Sequence, residues 1–91
     1  MFRLEFRETA RRQLAKIAKR NPTIGRDIKD KILWLAANAE NIEHETMHGH
    51  AEQSLHSGQY RILYSMDRAN GIIIIVDVDK HDAAYRKLKR R

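Results

Sequence analysis

The sequence Gln-Tyr-Arg-Ile-Leu-Tyr-Ser-Met at residues 59–66 is followed, after a turn at 67–71, by Ile-Ile-Ile-Ile-Val-Asp-Val at residues 72–78. The first segment alternates with the period of a β-strand that has two different faces. One face would carry Tyr60, Ile62, Tyr64 and Met66, and the other Arg61, Leu63 and Ser65. The second segment is β-branched and nearly continuous in apolar character, so it predicts a central strand covered on both faces. These two strands organise the rest of the chain.

The regions on either side of these strands carry weaker signals. Residues 53–56 precede a Ser57-Gly58 turn signal and predict the first arm of a β-hairpin with residues 59–66. Residues 41–52 show no periodicity and predict a loop or a poorly formed edge. Asp82 is suited to cap a final basic helix that runs through Leu88.

The first half of the chain predicts a strand followed by a helical hairpin. Phe2, Leu4 and Phe6 alternate with charged residues, as in a half-buried strand. A first helix begins near Thr9 and ends near Asn21-Pro22, because proline disfavours helical geometry in the residue before it. A second helix is capped by Asn21 or Thr23 and ends around Asn38. The apolar positions that line the two helices are Ala10, Leu14, Ile17, Ala18, Ile24, Ile28, Ile32 and Leu35.

This order of elements predicts an α+β fold in a single domain over residues 1–91. A small antiparallel sheet would be formed by the first strand and the later hairpin or meander, with the helical hairpin packed on one face and a short basic helix at the end. The length, 91 residues, is enough for one hydrophobic core and not for two.

Composition excludes several classes of protein. The chain has 42% hydrophobic and 33% charged residues and no cysteine, which excludes disulfides, thiolate metal sites and cysteine nucleophiles. We see neither a secretory signal nor an apolar segment of the length that a membrane span needs, so we expect a cytoplasmic protein without membrane contact.

The charge pattern indicates a polyanionic partner. The formal net charge of +6 is distributed as +5 over residues 1–40, −4 over residues 41–79 and +5 over residues 80–91. Basic segments at both ends of a small domain are typical of nucleic-acid binding.

Two motifs carry a family resemblance. Residues 58–64, Gly-Gln-Tyr-Arg-Ile-Leu-Tyr, and residues 78–85, Val-Asp-Lys-His-Asp-Ala-Ala-Tyr, are similar to the RelE/ParE superfamily of type II toxin–antitoxin toxins, as is Met47-His48-Gly49 upstream. The resemblance covers nearly the whole chain. It implies a toxin restrained by a cognate antitoxin that is encoded beside it, usually through an acidic or amphipathic helix.

Two activities occur in this superfamily. RelE-like members are ribosome-dependent endonucleases that cut mRNA without a metal, and ParE-like members share the fold but inhibit DNA gyrase by binding. The resemblance therefore implies ribosome and mRNA as partners in the first case and gyrase in the second. A toxin fold that has lost activity is a third alternative.

Metal-free RNA cleavage by the ribose 2′-hydroxyl needs a base, a cation for the phosphorane and a proton for the leaving oxygen. Arg61 is the best candidate for the cation, because its planar fork suits phosphate and strand alternation places it opposite the core-facing residues. His81 is the natural acid or base, since an imidazole exchanges protons near neutral pH, and Lys80 beside it offers a second cation. The resemblance implies that Tyr85 stacks on or orients the substrate nucleotide.

The general base is less defined. The candidates are His50, His56, Glu43, Glu45 and Glu52. We favour His56, which lies on the paired strand next to the turn. Glu52 and Ser54 stand where RelE carries lysines, and this departure favours a mechanism that rests on Arg61 and histidine, or else the gyrase-binding alternative.

The histidines also invite a metal interpretation. His44, His48, His50 and His56 lie within thirteen residues. Gly49 argues against the helix that would bring His44 and His48 together, and no cysteine or organised third ligand completes a zinc site. We therefore expect no metal and no cofactor.

Overall fold

The computed structural model describes residues 1–46 and 51–80. In chain order the elements are β1 (Arg3–Phe6), α1 (Glu8–Arg20), α2 (Pro22–Asn38), β2 (Glu45–Thr46), β3 (Gln53–Ser57), β4 (Tyr60–Asp67) and β5 (Ile72–Lys80). Each agrees with the expectation from the sequence, and in the described residues of the unpatterned region, 41–46 and 51–52, the structure has only the two-residue edge strand β2. The final helix from Asp82 lies outside the described residues.

Asn21 both ends α1 and begins α2. Its backbone N–H donates to the Ile17 carbonyl at 2.8 Å, and its side-chain Oδ1 accepts from the Ile24 N–H at 3.2 Å. Pro22 occupies the first turn of α2, where its missing N–H costs nothing. Further along, a Cβ on Gly25 would lie 2.6 Å from both Cα and Cβ of Ala18. The glycine therefore lets the two helices touch closely.

The strands form one mixed sheet in the order β1-β5-β4-β3-β2. Strands β2 to β5 pair antiparallel, whereas β1 pairs parallel with β5, with Arg3 opposite Ile72 and Phe6 opposite Ile75. The α+β fold class is confirmed, with the one difference that the sheet is not wholly antiparallel. The alternation of Phe2, Leu4 and Phe6 sets the faces of β1 but carries no information on strand direction.

A β-bulge interrupts the pairing of β4 with β5. Leu63 pairs with Asp77, but Tyr64 pairs with Ile75, so Val76 has no opposite residue on β4. The extra residue reverses the alternation of β5, as bulges do. Val78 therefore faces the same core as Ile75.

The core lies between the helical hairpin and one face of the sheet. It is formed by side chains that are fully buried, namely Ile28, Ile32 and Leu35 of α2 and Ile62, Tyr64, Ile73, Ile75 and Val78 of the sheet. Each such aliphatic residue stabilises the fold by about 1.5–3 kcal/mol relative to exposure. On the opposite face of β5, Ile72, Ile74 and Val76 are half-buried, so this strand is internal but less completely covered than predicted. No helix in residues 1–46 or 51–80 is long and apolar enough to span a membrane.

Candidate active site

Three polar side chains form a row across the strands next to the β3–β4 turn. The register sets His56 of β3 opposite Arg61 of β4, and Arg61 opposite Asp79 of β5. Residues directly opposite each other on neighbouring strands share one face of the sheet and contact each other. The row therefore brings an imidazole, a guanidinium and a carboxylate together on the face away from the helices.

Arg61 is the centre of this row. Ile62 and Tyr64 belong to the core, so Arg61 lies on the opposite face, as strand alternation predicted. The burial of this face was not predicted: Arg61 is only 7% exposed, and Leu63 on the same face is 1% exposed. Residue alternation distinguishes the two faces of a strand but does not show that the second face is also buried.

His56 contacts Arg61 directly. Nη2 of Arg61 donates to Nε2 of His56 at 2.9 Å. A guanidinium has donors only, so Nε2 must be the acceptor and the imidazole is neutral with its proton on Nδ1. His56 is itself exposed, so solvent reaches this end of the row.

The other predicted site residues are placed less closely. Lys80 pairs with Tyr60 rather than Arg61, so alternation sends its exposed side chain to the opposite face from Arg61. Its N–H donates to Oδ1 of Asp79 at 2.8 Å. His81 and Tyr85 lie outside the described residues.

Sequence reasoning missed two residues at this end of the sheet. Asp79 enters the site through the strand register, which the sequence does not reveal. Gln13 of α1 reaches β5 where β1 has ended: its Oε1 accepts from the Val78 N–H at 2.8 Å and its Nε2 donates to Oδ1 of Asp77 at 2.8 Å. The sequence does mark Gln13 as unusual, because it is a polar residue within the apolar stripe that Ala10 and Ile17 form on α1.

His44 has a structural role, because both of its ring nitrogens form hydrogen bonds within the fold. Its Nε2 donates to the Ala39 carbonyl at 2.7 Å, and its Nδ1 accepts from the Tyr64 hydroxyl at 2.5 Å. Burial raises the pKa of Tyr64 to about 12, so the phenol keeps its proton and remains a donor. Within residues 1–46 and 51–80, no three histidine or acidic side chains are placed to hold a metal ion; His48 and His50 lie outside these ranges.

Comparison with known proteins shows the family. The model of the ParE toxin of the type II toxin–antitoxin system parDE matches residues 4–85. Because this match spans most of the chain, the protein belongs to the ParE toxin family of the RelE/ParE superfamily and is a toxin of a type II toxin–antitoxin system. A comparison with curated protein sequences gives no match.

Solved structures support the same fold. The toxin–antitoxin complex RelBE2 from Mycobacterium tuberculosis has a TM-score of 0.72 at 24% identity, covering 88% of this chain and 98% of that chain. The isolated RelE toxin of E. coli has a TM-score of 0.72 at 19% identity, covering 99% and 98%. The archaeal RelE–RelB complex from Pyrococcus horikoshii has a TM-score of 0.58 at 16% identity, covering 87% and 93%.

Proposed function

We propose that this toxin is a metal-independent, ribosome-dependent endoribonuclease that cuts translated mRNA in the cytoplasm and so inhibits translation. The observation that carries the proposal is the 2.9 Å contact between Arg61 and His56, in a row with Asp79. A cation for phosphate and a neutral imidazole that can accept a proton are two of the groups that metal-free RNA cleavage needs.

The reaction follows from these two groups. The ribose 2′-oxygen attacks the adjacent phosphorus, its proton passes to a base, and the bond to the 5′-oxygen breaks as that oxygen gains a proton. A phosphate that takes the Nη2 donor of Arg61 also frees Nε2 of His56. Substrate binding would thus release the base at the moment it is needed. His81 as the proton donor and Tyr85 as the stacking residue complete the proposed site, whereas Lys80, the predicted second cation, has its side chain on the opposite face of the sheet from Arg61.

The proposed partner that restrains this activity is a cognate antitoxin. Two of the similar solved structures are complexes, the toxin–antitoxin complex RelBE2 from Mycobacterium tuberculosis and the RelE–RelB complex from Pyrococcus horikoshii. In this chain a groove of about 500 Å³ lies between α1 and α2, with Phe6 and Leu14 in its apolar lining. Its basic rim is formed by Arg11, Arg26 and Lys29. An acidic amphipathic helix fits such a groove.

Arg61→Ala tests the nuclease. We expect mRNA cleavage, mapped by primer extension after induction, to fall about a hundredfold or more, because a preorganised donor to the transition state is lost. Arg61→Lys should recover only part of the activity, since a lysine keeps the charge without the fork. Arg68→Ala, which removes the same charge from the turn after β4, is the matched control. Binding of the antitoxin reports whether each variant is folded.

His56→Gln separates contact from proton transfer. A glutamine oxygen can still accept from Arg61 but takes no proton, so cleavage should fall while the fold is kept. Cleavage at the wild-type rate by His56→Gln would assign the base elsewhere, and wild-type cleavage by Arg61→Ala would reject the nuclease site as a whole.

Inhibition of DNA gyrase is the second candidate function. It is favoured by the family description, which is that of ParE, and by the burial of Arg61 in a region with few other cations. A supercoiling assay with purified gyrase distinguishes the two. Loss of supercoiling together with intact mRNA after induction would favour the gyrase poison.

A further inference from the structure

A second cavity lies at the same end of the sheet but on the helix side. It has a volume of about 320 Å³ and lies where the last turns of α1 pass the ends of β4 and β5. Its lining comprises Gln13, Lys16, Ile17, Arg20, Asn21, Tyr60, Val78, Asp79 and Lys80. The chemistry proposed above takes place around Arg61, which does not line this cavity.

The position of the cavity follows from the helix period. Gln13, Lys16, Ile17 and Arg20 are spaced by three, one and three residues, so they form one stripe of α1. Gln13 holds the start of this stripe on β5 through its two hydrogen bonds. The stripe therefore presents Lys16 and Arg20 to the end of β5, where Lys80 adds a third cation.

The cations of this cavity are not neutralised as others on α1 are. Glu8 forms ion pairs with Arg11 and Arg12 at 2.6 and 3.1 Å, and the hydrogen bond from Arg11 holds the pKa of Glu8 below its usual value. Across the described part of the chain, Lys16 and Arg20 form no salt bridge with a carboxylate. Among the described residues of the lining, Asp79 is the one carboxylate, against the cations of Lys16, Arg20 and Lys80, so this part of the cavity carries an excess of positive charge.

The remaining lining is suited to an aromatic base. Tyr60 is half-buried and supplies a ring at the strand end, while Ile17 and Val78 supply an apolar wall. Asn21 supplies an amide whose Oδ1 is already bonded to the Ile24 N–H, which orients its Nδ2 donor. A volume near 300 Å³ is at the lower end for ligand sites, so it admits a single nucleotide rather than a folded RNA.

We propose that this cavity binds one nucleotide of the RNA substrate, with the phosphate on Lys16 and Arg20 and the base stacked on Tyr60. The statement that the nucleotide belongs to an RNA substrate rests on the proposed nuclease function, but the capacity of the cavity to bind a nucleotide does not. Because Tyr60 and Arg61 are consecutive and point to opposite faces, an RNA strand that crosses the end of β4 reaches both. The cavity then holds a neighbour of the nucleotide that is cut.

The test is a titration of the full chain with 5′-AMP, followed by ¹H–¹⁵N NMR. We expect chemical-shift changes at Lys16, Arg20, Asn21 and Tyr60. Replacing both Lys16 and Arg20 by alanine should weaken AMP binding about tenfold or more, because two charge-assisted contacts are lost. The control variant replaces both Arg12 and Lys19 by alanine. This removes the same charge from α1 outside the cavity and should change the affinity for AMP less than about twofold.

Recognition of the base is tested separately. Inorganic phosphate should bind about tenfold more weakly than AMP, since it cannot stack. Tyr60→Leu should bind AMP more weakly, because it removes the aromatic ring on which the base stacks, with melting curves to confirm folding. Equal affinity for phosphate and AMP, or equal losses in the two double variants, would overturn the proposal.

The two proposals fail in different ways. If the Lys16 and Arg20 double variant binds AMP normally while Arg61→Ala abolishes cleavage, the cavity is rejected and the nuclease stands. If AMP binding depends on Lys16 and Arg20 but wild-type protein cuts no mRNA, the nucleotide site stands and the nuclease is rejected.

Discussion

At the scale of single residues, the contact of Arg61 with His56 determines what each side chain does. A neutral imidazole accepts the Arg61 N–H, so protonation of His56 on Nε2 breaks the contact and leaves two cations side by side. The guanidinium therefore stabilises the unprotonated imidazole in the resting protein. In the proposed reaction, the phosphate of the RNA releases this constraint, because it competes with His56 for the Arg61 donor.

Tyr64 provides a residue-scale prediction on pH. Because burial raises its pKa from about 10 to about 12, the folded protein holds the phenolic proton more tightly than the unfolded chain does. The resulting stabilisation is complete below pH 10 and is lost as the pH rises towards 12. We expect a loss on the order of 2 kcal/mol in the free energy of unfolding over that range, measured by denaturant titration.

The control for this prediction is Tyr64→Phe. The variant should be less stable at neutral pH by about 1–2 kcal/mol, because His44 loses its donor, and its stability should fall less between pH 10 and pH 12. A pH dependence identical to that of the wild type would show that Tyr64 is not the group responsible.

At the scale of elements, Gln13 links α1 to the bulged part of β5. Gln13→Met keeps the length of the side chain but removes both hydrogen bonds. We expect it to destabilise the protein by about 2 kcal/mol, since each bond contributes roughly 1 kcal/mol. Denaturant unfolding measures this change, and Gln59→Met in the exposed turn is the matched substitution without these bonds.

Exchanging the hydrogen-bonding groups of Gln13 and Asp77 tests the link between α1 and β5 more directly. In Gln13→Glu the new carboxylate faces Asp77, so the variant should be destabilised. Adding Asp77→Asn restores a donor opposite the carboxylate, while Glu at position 13 still accepts from Val78. Recovery of stability in the double variant supports the link; additive losses would contradict it.

The elements themselves were largely predictable, because each rests on a local pattern. The period of Phe2, Leu4 and Phe6 gives β1, and Asn21-Pro22 divides the hairpin. The direction of β1 and the bulge at Val76 were not predictable, because alternation specifies faces and says nothing about partners.

The candidate site was likewise predictable from the sequence only in part. The face of Arg61 follows from alternation, but its bond to His56 depends on the register that the Ser57-Gly58 turn imposes. The apolar stripe of α1 could have drawn attention to Gln13, whereas Asp79 carries no such signal. The roles of His81 and Tyr85 stay predictions.

At the scale of the whole molecule, basic groups collect on two separate surfaces. Lys16, Arg20 and Lys80 line the nucleotide cavity, whereas Arg26 and Lys29 belong to the rim of the apolar groove on the other side of the hairpin. Under the proposed function, the toxin can thus use one sign of charge to bind RNA on one face and the antitoxin on another.

Charge reversal tests the groove. Arg26→Glu combined with Lys29→Glu should weaken binding to the antitoxin encoded beside the toxin about tenfold or more, as opposite charges on the rim become like charges. Isothermal titration with the purified antitoxin measures the affinity. Arg12→Glu with Lys19→Glu makes the same change in charge outside the groove. Unchanged affinity in the Arg26 and Lys29 variant would place the antitoxin elsewhere.

The parallel pairing of β1 with β5 has a consequence for the order in which the molecule assembles. Arg3 is opposite Ile72, a separation of 69 residues, so β1 cannot gain its partner until the ribosome has synthesised β5. The helical hairpin needs only local contacts and can form first, since such contacts close short loops. The row of His56, Arg61 and Asp79 also requires β5. A nascent chain therefore carries no complete site, and any activity begins only after nearly all of the domain has been translated.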